Sequence, residues 1–338
     1  MEKKDTVGKA ITSQDVAAYL GISQSTVSRA FEPTSRISEK TRARVMKAAK
    51  ELGYRPNAIA RSLVSQQTNL IGVIKGPNFN PMFSELLTET ARAIQEQNRQ
   101  MVYYEAGDSE DTGHILSKLL QYRVDGLILM YASLSSDLTR EARKIGIPVL
   151  QMMRYTADSL ASVVLPNNHN GAIQAIRHLR ENGYQNFAYV SGEAGSSSNV
   201  ERQLGFIHAL GEHGQEPVIS QGNYTYESGY KALYELKDKI QLPCGILCAN
   251  DVMALGVLDA AKELKIRVPE EIGVVGFDDI PMSQWKSYQL TTLRQPMKQL
   301  AESAVQMLVN RIEQPETAIE RVQFDFELVI RRSSSRLI

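Results

Sequence analysis

Charged, amide and aromatic side chains follow several short apolar runs beyond residue 67, at LIGVI, PVLQM, FAYV, GILCA and GVVGF. Such runs predict parallel strands, and open α/β sheets bind ligands beyond the carboxyl ends of their strands. The loops after these runs contribute Asn78, Phe79, Asn80, Met82, Phe83, Arg154, Ser196, Ser198, Arg202, Asn250, Asp251, Asp278 and Asp279, and Tyr224 and Tyr226 follow another run. We therefore expect these loops to converge on one binding site.

The chemistry available to this set is reversible binding of a hydroxyl-rich molecule. Carboxylate and guanidinium groups bind vicinal hydroxyls in fork geometry, and aromatic faces cover C–H surfaces. A sugar or sugar derivative therefore fits best. Two arginines, Arg154 and Arg202, would favour a sugar acid or a sugar phosphate.

Several of these candidates have an alternative structural role. Asp251 could cap a helix, Asp279 could brace a loop and Phe83 could belong to the core. Arg154 could pair with Asp278 instead of meeting a ligand. Arg202 alone could then serve the hydroxyls of a neutral ligand.

Arrangements typical of catalysis are missing from the sequence. It has no GxSxG, no phosphate-binding GxxxxGK[ST] and no HExxH, and its five histidines fall on different predicted elements. Cys244 and Cys248 lie in an apolar run, where a thiol acts as a small buried hydrophobe. We expect binding without catalysis, no metal and no cofactor. An enzyme fused to a DNA-binding unit is the rival, which turnover of the cleft ligand would reveal.

A second polar group lies near the N-terminus, on a helix predicted to begin after Ser23. Val27 and Ala30 face inward on this helix. The outward side chains are short hydrogen-bonding groups and one guanidinium: Gln24, Ser25, Thr26, Ser28 and Arg29. A helix that reads base edges in a DNA major groove needs such a face.

The elements around this face predict a helix-turn-helix. Thr12 begins a short helix, with Asp15 three residues on as in a capping box, and Gly21 ends it. We include Thr12 and Ser23, at the two helix starts, in the predicted DNA-binding surface. Two short helices joined by a glycine-containing turn form this unit, although an ordinary capped helical hairpin would share the pattern. Ser38 caps a third predicted helix, which ends at Gly53.

Charge is divided unevenly along a chain whose formal net charge is zero. Residues 1–65 carry 12 Lys and Arg against 6 Asp and Glu, whereas the rest carries 26 against 32. Basic side chains release counterions from a polyanion, and an acidic body is repelled by it. The first 65 residues are therefore the candidate DNA-binding part.

The larger part of the chain alternates short β-rich runs with helical patterns. This alternation predicts parallel sheets built from βαβ units, and eight or more strands over some 270 residues suggest two lobes. No apolar run of about 18 residues occurs, and the basic start lacks an apolar segment behind it. We expect a cytoplasmic protein that neither crosses a membrane nor is exported.

Three stretches together closely resemble the LacI/GalR family of repressors: DVAAYLGISQSTVSRAF, ISEKTRARVMKAAKELGYRPNAIARSL and GFDDIP. The resemblance covers essentially the whole chain. It implies a helical DNA-binding domain over 1–56, a hinge helix or linker over 57–66, and a two-lobed effector-binding and dimerisation body over 67–338. The lobes would be Rossmann-like, in a periplasmic-binding-protein fold, with crossovers near residues 166, 294 and 325.

The resemblance also implies roles for individual residues. Asn57 and Leu63 fall in the hinge, where paired leucines of the family pry open a minor-groove step. The effector cleft of the family matches Phe83, Ser198, Arg202, Tyr224, Asn250 and Asp278, to which we add Arg154 and Ser196. The protein is expected to be a homodimer on operator DNA, usually as a repressor, and to lack the heptad-patterned tail that makes tetramers.

Overall fold

The structure is a computed structural model that describes residues 11–32, 35–55, 67–76, 80–107, 112–130, 135–156 and 160–336. The chain divides into two compact units, residues 1–68 and 69–338. The predicted hinge over 57–66, with Asn57 and Leu63, lies outside the described residues.

Among its described residues, the first unit has three helices, α1 (Ser13–Leu20), α2 (Gln24–Ala30) and α3 (Glu39–Leu52). Their limits follow from the predicted caps: Ser23 and Ser38 accept hydrogen bonds from the first turns of α2 and α3. Gly21 and Gly53 end α1 and α3 at φ 64° and 72°, where a side chain would be strained. The predicted helix-turn-helix and third helix are thus confirmed.

A small core holds these three helices together. Its centre is formed by one valine from each helix, Val16, Val27 and Val45, all fully buried. Arg42 of α3 ties down the chain after α2, because its guanidinium donates to the carbonyl oxygens of Ala30 at 2.7 Å and of Glu32 at 2.8 Å. The orientation of α2 is therefore fixed by both apolar and polar contacts.

The second unit is built on two six-stranded sheets. The first has the order β11-β5-β4-β3-β1-β2 and the second the order β12-β10-β9-β8-β6-β7. The strands are β1 (Leu70–Lys75), β2 (Gln100–Glu105), β3 (Gly126–Leu129), β4 (Val149–Met152), β5 (Ser162–Pro166), β6 (Asn186–Val190), β7 (Val218–Ser220), β8 (Cys244–Cys248), β9 (Ile272–Phe277), β10 (Thr291–Arg294), β11 (Arg321–Phe324) and β12 (Glu327–Val329). The predicted parallel pairing is confirmed throughout except at β12, which runs antiparallel to β10.

Helices cover both sheets, as the predicted βαβ units require. They are α4 (Met82–Glu96), α5 (Thr112–Gln121), α6 (Ser135–Lys144), α7 (Asn168–Glu181), α8 (Ser197–Gly211), α9 (Tyr226–Leu236), α10 (Asp251–Glu263) and α11 (Met297–Glu313). Short 3-10 turns follow at Pro281–Gln284 and Arg332–Ser334. In the part of the chain described, no helix is long and apolar enough to traverse a bilayer.

The chain passes between the two sheets three times. It leaves the first sheet after β5 at Pro166, returns after β10 at Arg294 through α11, and crosses again between β11 and β12, at residues 325–326. Both predicted lobes and the three predicted crossovers are therefore observed. Cys244 and Cys248 are buried in β8, and burial raises the pKa of the Cys244 thiol to about 12.

Candidate functional site

The exposed face of α2 carries the side chains predicted to read DNA. Gln24, Ser25, Ser28 and Arg29 are exposed, whereas Thr26 is half-buried. The face is held in place locally: the Gln24 amide donates to Ser13 Oγ at 2.9 Å, and Arg29 Nε donates to the Ser25 carbonyl oxygen at 3.2 Å. These groups remain accessible for base edges or phosphates.

Thr12 and Ser23 lie at the two helix starts. Thr12 forms a complete capping box, because its Oγ1 accepts from Asp15 N at 3.3 Å while Asp15 Oδ2 accepts from Thr12 N at 2.8 Å. Ser23 Oγ accepts from Thr26 N at 3.3 Å. Both hydroxyls therefore hold the amino ends of the helices, which are favourable positions for a DNA phosphate.

A cavity of about 30 Å³ lies between the two lobes of the second unit. Every segment that reaches it follows the carboxyl end of a strand or begins the next helix, as the topology of parallel sheets requires. Its walls are formed by Asn80, Met82, Phe83, Met153, Arg154, Ser198, Arg202, Tyr224, Asn250, Asp278 and Gln295. Seven of the eight predicted effector residues are thus brought together, and Ser196 lies beside them.

Asp278 lies at the centre of this cleft. Its carboxylate accepts hydrogen bonds from Asn80 Nδ2 of the other lobe at 2.6 Å and from Gln295 Nε2 at 2.5 Å, and it lies 4.0 Å from Arg202 Nη2. Burial raises the pKa of Asp278, although Arg202 and these hydrogen bonds oppose the rise. The residue has φ 113°, an unusual value for a non-glycine residue that the surrounding contacts maintain.

Arg202 is a fixed wall of the cleft. Its Nε donates to Asn168 Oδ1 at 2.7 Å, its Nη1 donates to the Ala249 carbonyl oxygen, and its guanidinium lies 4.2 Å from the centre of the Phe277 ring. Nη2 faces Asp278. These contacts leave the guanidinium little freedom, so Arg202 can present a preorganised donor to a ligand.

Arg154 is held more loosely than Arg202. Its guanidinium lies 5.2 Å from the centre of the Tyr224 ring and 3.5 Å from Glu193 Oε2. Glu193 is thus its ion-pair partner, in place of the pairing with Asp278 considered from the sequence. The Tyr224 hydroxyl lies within hydrogen-bond reach of Ser196 Oγ at 3.4 Å and Ser198 Oγ at 3.3 Å.

The remaining loop carboxylates have structural roles. Asn250, not Asp251, caps α10, with Oδ1 accepting from Met253 N at 2.9 Å. Asp251 is fully buried behind the cleft, and burial followed by the charge of Asp278 raises its pKa to about 8. Asp279 braces its loop through ion pairs with Arg294 and Arg331, both at 2.7 Å.

The two lobes also meet beside the cavity. Tyr155, after β4, donates its backbone N–H to Ser197 Oγ at 3.0 Å and its hydroxyl to Glu201 Oε1 at 3.2 Å, both on α8. A water-sized probe occupies roughly 10–15 Å³. The cavity therefore holds only two or three waters, and a larger molecule requires the lobes to separate.

Two wall residues, Met153 and Gln295, were not predicted from the sequence. Gln295 follows β10, whose four residues are TTLR, too short and too polar to stand out as a strand. The predicted crossover near residue 294 was the available signal, because a segment that passes between lobes also passes the cleft. Met153, which has φ 72°, directly precedes Arg154. Its position next to that predicted residue was the available signal.

Two family profiles match the chain. The profile of bacterial regulatory proteins of the lacI family matches residues 12–57, which contain α1 to α3. The profile of periplasmic binding protein-like domains matches residues 176–334. The two matches fall in the helical unit and in the two-lobed body, respectively.

Curated relatives match nearly the full length. The transcriptional repressor PurR of Photorhabdus laumondii is 32% identical over 329 residues, covering 95% of this chain and 96% of the relative. PurR of Pectobacterium carotovorum is 33% identical over 331 residues, with the same coverage.

Solved structures agree with this similarity. The lac repressor dimer bound to operator and the anti-inducer ONPF has TM-score 0.82 at 26% identity, covering 97% of this chain and all of that one. The transcriptional regulator CelR with cellobiose has TM-score 0.72 at 29% identity, covering 96% and 99%. A regulator from Enterococcus faecium with bound ribose has TM-score 0.71 at 27% identity, covering 80% and 100%.

Proposed function

We propose that the effector of this chain is a sugar or sugar derivative bound in the cleft between the lobes. The chain belongs to the lacI family of bacterial regulatory proteins. It is a DNA-binding repressor controlled by a small molecule, and it is not an enzyme. The observation that carries the proposal is the composition of the cleft. A carboxylate, a guanidinium and an amide, from Asp278, Arg202 and Asn250, face a cavity that Phe83 and Tyr224 flank with aromatic rings. Solved relatives with cellobiose and with ribose lend support.

The same geometry supports a mechanism of control. Asn80 and Asp278 join the two lobes at 2.6 Å in a cleft with almost no free volume. A ligand that takes over Asp278 as its own acceptor replaces this interlobe hydrogen bond and resets the angle between the lobes. Ligand binding shifts the population of the two arrangements only by its difference in affinity for them.

The lobe rotation would reach DNA through residues 57–66. We propose that Asn57 begins a hinge helix there and that Leu63 opens a minor-groove step, in a homodimer whose two α2 helices occupy successive half-sites in the cytoplasm. Replacing Leu63 by Ala should leave the unfolding temperature unchanged and reduce operator affinity and DNA bending. Unchanged affinity and bending would remove the wedge from the mechanism.

Operator recognition is testable without knowing the target genes. An operator selected from random DNA by the full chain is used in fluorescence anisotropy at fixed salt, because phosphate contacts make affinity depend on salt. Arg29→Ala should weaken specific binding by about 1–3 kcal/mol, the usual contribution of a bidentate base contact. Lys50→Ala on α3 is the control; equal losses in both variants would argue against base reading by α2.

To identify the effector, the unfolding temperature of the full chain is measured in the presence of sugars, sugar acids, sugar phosphates and nucleobases. A bound ligand stabilises the folded protein according to its concentration relative to Kd. A sugar that raises the unfolding temperature and changes operator affinity supports the proposal. A nucleobase that does both while every sugar fails overturns the sugar assignment.

A further inference from the structure

Two buried cations near the cleft, Arg154 and Lys75, form ion pairs with glutamates that are exposed to solvent. The side chains of Arg154 and Lys75 are 11% and 9% exposed, whereas their partners Glu193 and Glu105 are 62% and 56% exposed. Lys75 lies behind the cleft wall, with Nζ 5.7 Å from the centre of the Phe83 ring. A buried cation loses hydration, so it needs a close counterion. Two solvent-exposed glutamates fill that role incompletely.

The Arg154–Glu193 pair is the weaker of these two. Its N···O distance is 3.5 Å, against 2.8 Å for Lys75 and Glu105. An exposed glutamate side chain is stabilised little by such a pair and can leave it readily. Arg154, in contrast, lines the cleft and lies over the Tyr224 ring.

The amino end of α8 adds positive potential to the same wall. Neither a side-chain cap nor an acidic residue is present in its first turn, which begins at Ser197 and includes the wall residue Ser198. The unpaired N–H groups of a first helical turn attract anions. Tyr155, the neighbour of Arg154, contacts this turn through Ser197 Oγ at 3.0 Å.

A separate observation indicates that the cleft awaits a polar ligand. Gln295 is 3% exposed and lines the cavity, and its Oε1 has no hydrogen-bond partner among the described residues. A buried acceptor without a donor is costly, and a ligand hydroxyl would satisfy it. Gln295 and Asp278, whose carboxylate accepts from Gln295 Nε2, therefore form a hydroxyl-binding end, distinct from the cationic end at Arg154.

We propose that the effector is an acidic polyol, such as a sugar acid or sugar phosphate, whose carboxylate or phosphate displaces Glu193 from Arg154 while its hydroxyls bind Asp278, Gln295 and Arg202. This inference rests on the proposed function, since it specifies the ligand of the same cleft. Neutral sugars lack the group that compensates Arg154. They leave the pair between Arg154 and Glu193 intact, and they therefore gain less binding free energy than an acidic sugar does.

The test compares neutral sugars with acids that share the same sugar ring and carry one carboxylate or phosphate in addition or in exchange for a hydroxyl group. Full-length protein is titrated by calorimetry at pH 7 and constant ionic strength with glucose, galactose and fructose, with glucuronate and galacturonate, and with the corresponding 6-phosphates. At least one acid should bind, and its neutral parent should bind at least tenfold more weakly. A neutral hexose that binds as tightly as its acid overturns the inference and leaves the sugar proposal standing. Failure of every neutral and acidic sugar overturns both.

Two substitutions with opposite expected signs assign the effect to Arg154. Arg154→Gln should weaken binding of the acid about 10- to 100-fold, the range for loss of a charge-assisted hydrogen bond. Glu193→Gln should tighten it severalfold, because the competing carboxylate is gone. A merely structural role for the pair would weaken acid binding in both variants, or change it in neither, and would overturn the assignment.

Arg180→Gln is the matched control for loss of an arginine. Arg180, on the last turn of α7, also lies over an aromatic ring, 4.8 Å from the centre of Phe187, and donates to Gln215 at 3.1 Å. None of these three residues lines the cleft. Acid binding should be unchanged in this variant, and an equal loss there would show that the effect of Arg154→Gln is not local.

Discussion

Replacing Asp251 by Asn should change how the stability of the body depends on pH. In the wild type the carboxylate is fully buried and accepts from Ile280 N at 3.0 Å, Ser283 Oγ at 2.7 Å and Thr292 Oγ1 at 2.6 Å. An Asn side chain can keep these contacts, with Oδ1 accepting from Ile280 and Ser283 and Nδ2 donating to the Thr292 hydroxyl. The substitution therefore removes the titration while retaining the geometry.

The direction and the size of this pH dependence follow from the pKa of Asp251. Burial first, and the charge of Asp278 second, raise the pKa of Asp251 from 3.8 to about 8. Between these values the folded state keeps a proton that the unfolded state has lost, so the free energy of unfolding falls as pH rises from about 4 to about 8. One pKa unit corresponds to about 1.4 kcal/mol, so the three units from pH 5 to 8 give a fall of up to about 4 kcal/mol.

Urea unfolding at a series of pH values from 5 to 8.5, followed by fluorescence of the single tryptophan, Trp285, measures this dependence. The fall from pH 5 to 8 should be much smaller in Asp251→Asn than in the wild type. Asp259→Asn, on the same helix but only half-buried, is the control and should retain the fall. Parallel curves for wild type and Asp251→Asn would show that Asp251 is not the source of the pH dependence.

Four further substitutions test other parts of the structure. Gly256→Ala should destabilise the body by about 1–3 kcal/mol, because the added Cβ would lie 2.2 Å from a backbone oxygen of α9. Gly211→Ala should stabilise the body by about 0.5 kcal/mol, because open space surrounds that position. Thermal unfolding measures both changes. Thr12→Val should cost about 1 kcal/mol of stability in the helical unit, measured by circular dichroism, through loss of its capping box. Arg202→Ala should abolish the effector response of operator binding while ligand-free operator affinity is retained; a preserved response would place the effector elsewhere.

Local patterns predicted much of this fold. The eight strands inferred from apolar runs all occur, because a buried parallel strand must be apolar along its length, as β8 and β9 are. The short strands β10, β11 and β12 were not predicted. Each has only three or four residues, and the edge strands β11 and β12 are partly exposed, so neither length nor hydrophobicity distinguishes them.

The walls of the cleft, including Asp278, were predictable for a topological reason, whereas the contacts that its carboxylates make were not. Strand ends converge in any parallel sheet, so the loop positions could be inferred without knowing distances. The partners of each carboxylate depend on contacts between distant residues. Asp278 meets Asn80 across 198 positions of sequence, and Asp251 meets Thr292 across 41. Local sequence carries no information on such pairs.

The threading of the chain between the lobes also sets the order in which the protein can be completed during synthesis. The three helices that carry the predicted DNA-binding face end at Leu52, whereas β11 and β12 supply an edge strand to each sheet only at residues 321–329. Domains generally fold as units as they leave the ribosome. The helical unit therefore folds long before the two-lobed body is complete. A chain truncated before β11 would retain a folded helical unit and lack a complete ligand-binding body.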